Sequence, residues 1–158
     1  MVAISDLVIA IDLSEDGPRV IALVGARDHV LKSRSFLYHV AWVKHFREVP
    51  SPRKSSYMKR FPRRFLRVRR YLDIVRIVRS VEALLSAISM HRPRLILVDN
   101  KLLQYVQTDV ATVIPENRVV YRHHRALIML ADNIANYFRV LLKSDPRRFL
   151  EELRKFEK

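Results

Sequence analysis

The stretch LVIAIDLSEDGPRVIALVG, residues 7–25, decides the fold of this chain. Two apolar runs rich in Val and Ile, residues 7–13 and 18–24, flank the sequence SEDG, and this pattern predicts a β-hairpin. Asp12 interrupts the first run, close to the end at which the strand meets the turn. A carboxylate at this point is either a turn residue that caps the hairpin or a functional group at the end of a strand.

The apolar patterns beyond the hairpin predict a larger sheet. Residues 30–38 partly alternate between apolar and polar side chains, which predicts a third strand and a three-strand antiparallel meander. A helix, a strand, a short helix, a strand and two helices follow; they are predicted within YLDIVRIVRSVEALLSAIS (71–89), RPRLILVDN (92–100), KLLQYVQ (101–107), ENRVVYRHH (116–124), residues 125–142 and the segment after Pro146. Strands joined through crossover helices imply an α/β fold in which helices flank a mixed sheet.

The composition bounds the class of protein. A chain of 158 residues has the length of one domain, so we expect residues 1–158 to share one fold. Only two glycines are present, which excludes a glycine-rich phosphate loop or a dinucleotide-binding fingerprint. The absence of cysteine fits a cytoplasmic protein, and no apolar run is long enough for a membrane span. Abundant Arg with few Gln, Asn and Cys suggests a heat-adapted source.

One segment, residues 44–70, supplies most of the net charge of +14. It contains eleven Lys or Arg residues against the single acid Glu48, and three prolines interrupt it, so it is predicted to be a basic insertion that is partly disordered. Arg binds phosphate through paired hydrogen bonds, and interleaved aromatic rings stack on bases. We therefore expect DNA or RNA as the partner, and no membrane. The predicted contact residues are Arg53, Lys54, Lys59, Arg60, Arg63, Arg64, Arg67, Arg69 and Arg70.

Three aspartates form a candidate site. Asp12 lies in the first strand, Asp99 closes the strand LILVD, and Asp132 lies in the late helical sequence MLADNIANYF. If the two strands are neighbours, Asp12 and Asp99 project from adjacent strand ends. Converging carboxylates repel one another unless cations lie between them, and hard divalent ions prefer such oxygen ligands. Local explanations are also open: Asp99 could cap the helix that begins at Lys101, and Asp132 could pair with Arg125 or Arg139.

The order of these acids resembles the ribonuclease H-like superfamily. The shared pattern is an Asp in the first strand of a three-strand meander, an acid on the first helix, an Asp that closes the next strand and an Asp on the last long helix. LILVDNKLLQYV (95–106) is similar to the segment around that superfamily's central aspartate, and RHHRALIMLADNIANYF (122–138) is similar to its final helix. The resemblance covers residues 7–142 and implies a ribonuclease H-like mixed sheet with flanking helices.

The resemblance also implies an activity. Asp12, Asp99 and Asp132 would be metal ligands and catalytic residues, and a fourth acid would come from the first helix. Asp73 is preferred for that role because it lies near the start of the predicted helix, and Glu82 stays open as the alternative. The implied function is hydrolysis of nucleic-acid phosphodiester bonds by a nuclease that holds Mg²⁺ or Mn²⁺ with carboxylates.

Other functions stay open on the sequence alone. A chain with this fold could bind DNA or RNA through residues 44–70 without catalysis, or the same segment could dock an acidic protein partner; a homodimer is also open. The six histidines show no metal-ligand spacing, and the neighbours His123 and His124 are expected to point in different directions, so zinc is not expected. The resemblance places these two histidines about where some members carry a histidine that assists product release.

Overall fold

A five-stranded mixed sheet organises the computed structural model, which describes residues 5–15, 17–107 and 111–158. Asp16 of the predicted turn lies outside the described residues. The strands are β1 (Leu7–Ser14), β2 (Val20–Arg27), β3 (Ile74–Val78), β4 (Leu95–Val98) and β5 (Thr112–Pro115), in the spatial order β3-β2-β1-β4-β5. β2 is antiparallel to β1 and β3, whereas β4 is parallel to β1 and β5. The predicted fold class, an antiparallel meander continued by crossover strands, is confirmed.

Helices cover both faces of this sheet. They are α1 (Asp28–Leu31), α2 (Arg34–His39), α3 (Ser51–Val68), α4 (Val81–His91), α5 (Arg122–Ser144) and α6 (Pro146–Phe156). The predicted late helix is α5, and the predicted final helix after Pro146 is α6. None of the helices over the described residues combines the length and apolar character that a bilayer crossing requires.

The alternation of side chains along β1 assigns each residue to one of two cores. Val8 and Ala10 face a large core together with the buried side of α5, whereas Ile9 and Ile11 face a smaller core that includes Leu84 of α4. Because both faces of the strand are covered, β1 reads as a continuous apolar run. The same alternation directs Asp12 to the α5 face.

The segment predicted as the third strand, residues 30–38, is helical instead. Ser33 begins α2, because its hydroxyl accepts a hydrogen bond from the backbone N–H of Phe36 at 3.2 Å. Leu31 and Phe36 are both fully buried, although residues five apart in a strand would point to opposite faces. The third strand of the meander is therefore β3, and α1 to α3 lie between β2 and β3 in the chain.

The helix predicted within residues 71–89 is divided into β3 and α4. Four of the five residues of β3 are β-branched, which favours a strand. The side chain of Ser80 accepts a hydrogen bond from the backbone N–H of Ala83 at 3.1 Å and so begins α4. The apolar spacing of this segment fits a helix as well as a strand. The β-branched residues and the Ser80 cap therefore determine where β3 ends and α4 begins.

The sequence ENRVVYRHH is also not a strand. The paired strand β5 precedes it, residues 116–118 form a short 3-10 turn, and α5 begins at Arg122. Val120 and Tyr121 are exposed, whereas an inner strand of this sheet would bury them. The predicted short helix after β4 is limited to a 3-10 turn at residues 100–102.

The basic segment 44–70 contains α3. Phe61, Phe65 and Val68 are fully buried on one side of this helix, where the ring of Phe65 stacks on Phe156 of α6 at a centroid distance of 4.5 Å. The opposite side is exposed and carries only basic and neutral residues. Its exposed cations are Arg53, Lys59, Arg60, Arg63 and Arg67. We call these five residues the basic face of α3.

The end of the described chain covers the outer edge of β3. Lys158 and Val75 exchange two backbone hydrogen bonds, at 3.0 and 3.2 Å, and the carboxylate of Glu157 accepts the N–H of Ile77 at 3.2 Å. The guanidinium of Arg69 donates to the carbonyl oxygens of Phe156 and Glu157 at 3.0 and 2.6 Å. These bonds fix the segment after α6 against the sheet.

Because α3 is attached through its aromatic side, truncation of that side should cost stability. We expect Phe65→Ala to lower the free energy of unfolding by about 3–5 kcal/mol, since it removes a fully buried ring and leaves a cavity. Leu66→Ala, at the adjacent and 47% exposed position, is the matched control and should change it by less than about 0.5 kcal/mol. Urea unfolding measures both, and equal costs would contradict the docked position of α3.

Candidate active site

Three acids lie one residue beyond the last paired residues of the three parallel strands. The register pairs Ile11 of β1 with Val98 of β4, and Val98 with Pro115 of β5. The next residues in the chain are Asp12, Asp99 and Glu116. Parallel strands end at the same edge of a sheet, so one carboxylate from each strand reaches this edge.

These three carboxylates converge. One oxygen from each of Asp12, Asp99 and Glu116 lies within 4.8 Å of the others. Asp12 and Asp99 are 5% and 9% exposed, so little solvent reaches their charges. Each accepts backbone hydrogen bonds: Asp12 Oδ1 from Leu13 at 3.0 Å, and Asp99 Oδ1 from Lys101 at 3.0 Å. Asp99 therefore caps the turn at Lys101 with the same carboxylate that faces Asp12 and Glu116.

A fourth carboxylate, Asp132, comes from α5. It lies next to Asp12 because α5 packs on the face of the sheet to which Asp12 points. Its Oδ2 accepts the backbone N–H of Phe46 at 2.8 Å, and its Oδ1 accepts the amide of Asn136 at 3.2 Å. These bonds fix the orientation of the carboxylate in the middle of the helix. We call Asp12, Asp99, Glu116 and Asp132 the carboxylate cluster.

Burial and mutual repulsion raise the pKa values of two members of the cluster, Asp12 and Glu116. Burial raises the pKa of Asp12 well above its ordinary value, and the neighbouring Asp99 and Asp132 raise it further. Burial also raises the pKa of Glu116; the positive charge of His45 opposes this shift, and the negative charges of Asp99 and Asp132 add to it. A cation between the carboxylates would remove this repulsion.

His45 is a further polar residue of the site. Its Nε2 lies 3.1 Å from Glu116 Oε1, and its Nδ1 lies 4.0 Å from Asp132 Oδ2. The imidazole therefore bridges two members of the cluster that come from β5 and α5. Asn133, one residue after Asp132, donates to the carbonyl of Lys44 at 2.7 Å and so anchors the loop that carries His45.

Cations surround the acids. A cleft of about 340 Å³ is lined by Asp12, Asp99, Glu116 and Asp132 and also by Arg47, Lys54, Lys101 and Arg139. Arg139 Nε donates to the hydroxyl of Ser14 at 2.7 Å, next to Asp12 in β1. Lys54 belongs to the first turn of α3 and donates to the carbonyl of Phe46 at 3.1 Å. An anionic substrate in this cleft would meet positive charge on its rim and negative charge at its floor.

The structure does not bring Asp73 to the cluster. Asp73 is exposed and precedes β3, whose first residue pairs with Gly25, the partner of Ile9. This is the opposite end of the sheet, about 13 Å from Asp12 along the strands. Glu82 lies on α4, on the other face of the sheet, and is also exposed. The cluster instead contains Glu116.

Sequence reasoning missed Glu116 and His45. The signal for Glu116 was present in TVIPE (112–116), a short β-branched run that ends directly before an acid, as LILVD does. His45 gave no pattern, because tertiary packing alone brings its loop to the cluster. His123 and His124, in contrast, lie in the first turn of α5, about 12 Å along the helix from Asp132, and contact Asp28.

The predicted nucleic-acid residues divide into two groups. The basic face of α3 presents five of them to solvent. Arg70 is exposed as well, but its guanidinium donates to the hydroxyl of Tyr71 at 2.9 Å. Lys54 lines the cleft, Arg64 stacks on Trp42 at 5.4 Å, and Arg69 is bonded to the chain end, so these three have contacts within the protein.

Comparison with known proteins assigns no family. No protein-family model matches the sequence, and no curated protein matches it. Among solved structures, the chain is similar to a mutant protein of Bst-RNase HIII, with a TM-score of 0.47 and 15% sequence identity. The match covers 89% of this chain and 56% of that chain, so this chain spans about half the length of that protein. At this distance the similarity assigns neither activity nor substrate.

The raised pKa of Asp12 predicts a pH dependence of stability. The folded state binds a proton on the Asp12 carboxyl more tightly than the unfolded state does. The contribution of Asp12 to stability therefore falls as pH rises from the pKa of the unfolded state through the raised pKa of the folded state. In the presence of a chelator, Asp12→Asn should therefore gain thermal stability relative to the natural chain as pH rises from about 4 to about 9. Asp73→Asn is the matched control at the other end of the sheet, and a pH-independent difference for Asp12→Asn would contradict the prediction.

Proposed function

We propose that this chain is a metal-dependent nuclease that hydrolyses phosphodiester bonds of nucleic acid at the carboxylate cluster. The observation that carries the proposal is the convergence of Asp12, Asp99 and Glu116 at one sheet edge, with Asp132 beside them. Four buried or half-buried carboxylates at such distances are costly in a fold unless they bind cations. The resemblance of the sequence to the ribonuclease H-like superfamily supports the same activity.

The donor set fits Mg²⁺ or Mn²⁺. All four groups are carboxylates, which hard divalent cations prefer, and no thiolate is present in the sequence. When bound, such an ion polarises a phosphoryl oxygen and promotes the ionisation of a water for attack. We assign Asp12, Asp99 and Asp132 as ligands from the sequence pattern, and Glu116 as the fourth acid in place of Asp73 and Glu82.

The protein groups around the cluster orient the substrate and handle protons. Lys54, Lys101 and Arg139 line the cleft and would neutralise phosphate oxygens on either side of the scissile bond. His45 Nε2, at 3.1 Å from Glu116 Oε1, would hold a proton for transfer to the leaving oxygen. The half-buried position of His45 limits the access of bulk water to this proton.

The basic face of α3 would hold the substrate backbone. α3 begins at the cleft through Lys54 and carries exposed Arg side chains to Arg67, thirteen residues or about 20 Å further along the helix. This distance equals about six steps of a nucleic-acid strand at about 3.4 Å each. The arrangement supports contacts with a backbone that extends to one side of the cleavage point.

Removal of a cluster carboxylate should abolish cleavage without loss of the fold. We expect Asp12→Asn and Asp99→Asn to lower Mn²⁺-dependent cleavage of RNA, DNA or hybrid duplexes by at least about 100-fold, because each loses a ligand worth several kcal/mol in the transition state. Affinity for the substrate in a chelator should remain. Asp73→Asn, the same change at an exposed site outside the cluster, should cleave like the natural chain.

Two results would exclude the nuclease. Unchanged cleavage by both cluster variants would remove the proposed site. Salt-sensitive binding with no metal-dependent turnover on any of the three substrate classes would instead establish a nucleic-acid-binding module, and the absence of a gel shift at low salt would favour an acidic protein partner.

The contribution of the basic face can be measured by salt titration. The triple variant Arg60→Gln, Arg63→Gln, Arg67→Gln should bind nucleic acid more weakly and lower the slope of log Kd against log salt by about three units, one for each lost phosphate contact. Arg92→Gln, an exposed position at the end of α4 on the other face of the sheet, is the control and should leave the slope unchanged. Equal slopes for the triple variant and the natural chain would place the binding surface elsewhere.

A further inference from the structure

A second cluster of possible ligands lies at the end of the sheet opposite to the carboxylate cluster. Asp28 follows the last residue of β2, and His123 and His124 occupy the first turn of α5. Asp28 Oδ1 lies 3.1 Å from His124 Nε2 and 3.3 Å from His123 Nε2. The two imidazoles were expected to diverge, but at a helix start both side chains are long enough to bend toward one oxygen, and their ring centroids are 4.2 Å apart.

These distances are those between ligands of one metal ion. Zn²⁺ binds His nitrogen and carboxylate oxygen at about 2.0–2.2 Å, so two ligands of a four- to six-coordinate ion lie about 3.0–3.4 Å apart. The Asp28 contacts to both histidines fall in this interval, and all three donor atoms lie within 4.8 Å of one another. The three side chains are only 9–12% exposed.

One donor atom of the cluster lacks a hydrogen-bond partner. His123 Nε2 is buried, and its contact with Asp28 does not have the direction of a hydrogen bond. A buried imidazole nitrogen without a hydrogen-bond partner is available to an ion.

The surrounding charges orient Asp28 for binding through one oxygen. Lys32 Nζ lies 2.9 Å from Asp28 Oδ2 and so leaves Oδ1 directed to the histidines. Arg94 lies 4.0 Å from the same Oδ2 and 3.8 Å from Asp6, which also contacts His29 at 2.9 Å. Asp6 therefore balances Arg94, and the cations act on the oxygen that does not face the histidines. Such contacts to the distal oxygen are typical of carboxylates that bind metals through one atom.

We propose that Asp28, His123 and His124 form a site for a divalent transition metal of the zinc type, with water as the remaining ligand. Two imidazoles and one carboxylate suit Zn²⁺ or Co²⁺ better than the hard ions expected at the carboxylate cluster. The ion would join the first turn of α5 to the end of β2. Its role is structural, because it holds the helix that carries Asp132 without contact with the cleft.

The test uses Zn²⁺ and Co²⁺ on the full chain with the first site disabled. In a background of Asp12→Asn and Asp99→Asn, Co²⁺ should bind at one equivalent and give the visible absorption of a nitrogen-ligated ion. His124→Ala in that background should lower the affinity by at least about 100-fold, since loss of a ligand exceeds the 10- to 100-fold effect of an outer contact. His29→Ala, a nearby histidine that contacts only Asp6 among the groups named here, should leave it unchanged.

A second measurement requires no substitution at the cluster. Zn²⁺ added to the natural chain should shift the imidazole NMR signals of His123 and His124 and raise the melting temperature. Absence of both changes, or equal Co²⁺ affinity with and without His124, would overturn the proposal and leave the cluster as an ion pair of Asp28 with Lys32 and Arg94. Failure of this site would not affect nuclease activity measured with Mn²⁺, so the two proposals are tested separately.

Discussion

Repulsion among carboxylates at the end of β1 is the constraint on which the rest of the site depends. Asp12 is buried in a central strand with Asp99 on the neighbouring strand and Asp132 on the helix above. Backbone N–H groups of Leu13, Lys101 and Phe46 donate hydrogen bonds to these acids and compensate part of the lost hydration. A fold that only needed stability would place apolar residues here, so the arrangement supports the cation binding proposed for the cluster.

The sequence predicted the part of the site that depends on strand ends. Asp12 and Asp99 both follow apolar runs, and the crossover order made their strands neighbours, so their proximity follows from topology. The fourth acid could be predicted only if the division of residues 71–89 into a strand and a helix were known. The apolar spacing of residues 71–89 fits a helix, and this interpretation placed Asp73 at a helix start. β-branched residues instead make residues 74–78 a strand, and Asp73 precedes it at the end of the sheet opposite to the site. Glu116 follows a four-residue strand, too short to show a period.

The basic segment shows why composition alone could not predict its structure. Its charge and prolines are typical of a disordered insertion, yet Phe61 and Phe65 recur one helical turn apart and bury against α6 and α5. The free energy of aromatic burial on one side stabilises a helix whose other side consists of mutually repelling cations. Docking therefore holds the charged side chains at the fixed spacing of a helix, and this would lower the entropy lost on binding of the polyanion proposed as the partner.

The backbone hydrogen bonds between Lys158 and Val75 affect self-association of this chain through the edge of its sheet. The unpaired backbone groups of an uncovered outer strand can pair with a strand of another chain, and this is a common route to dimers and to aggregates. At β3 the backbone groups of Val75 and the N–H of Ile77 are already bonded to Lys158 and Glu157. Self-association through that edge would first require the segment after α6 to detach, with loss of the Arg69 contacts. Residues 156–158 therefore compete with a second strand for the outer edge of β3.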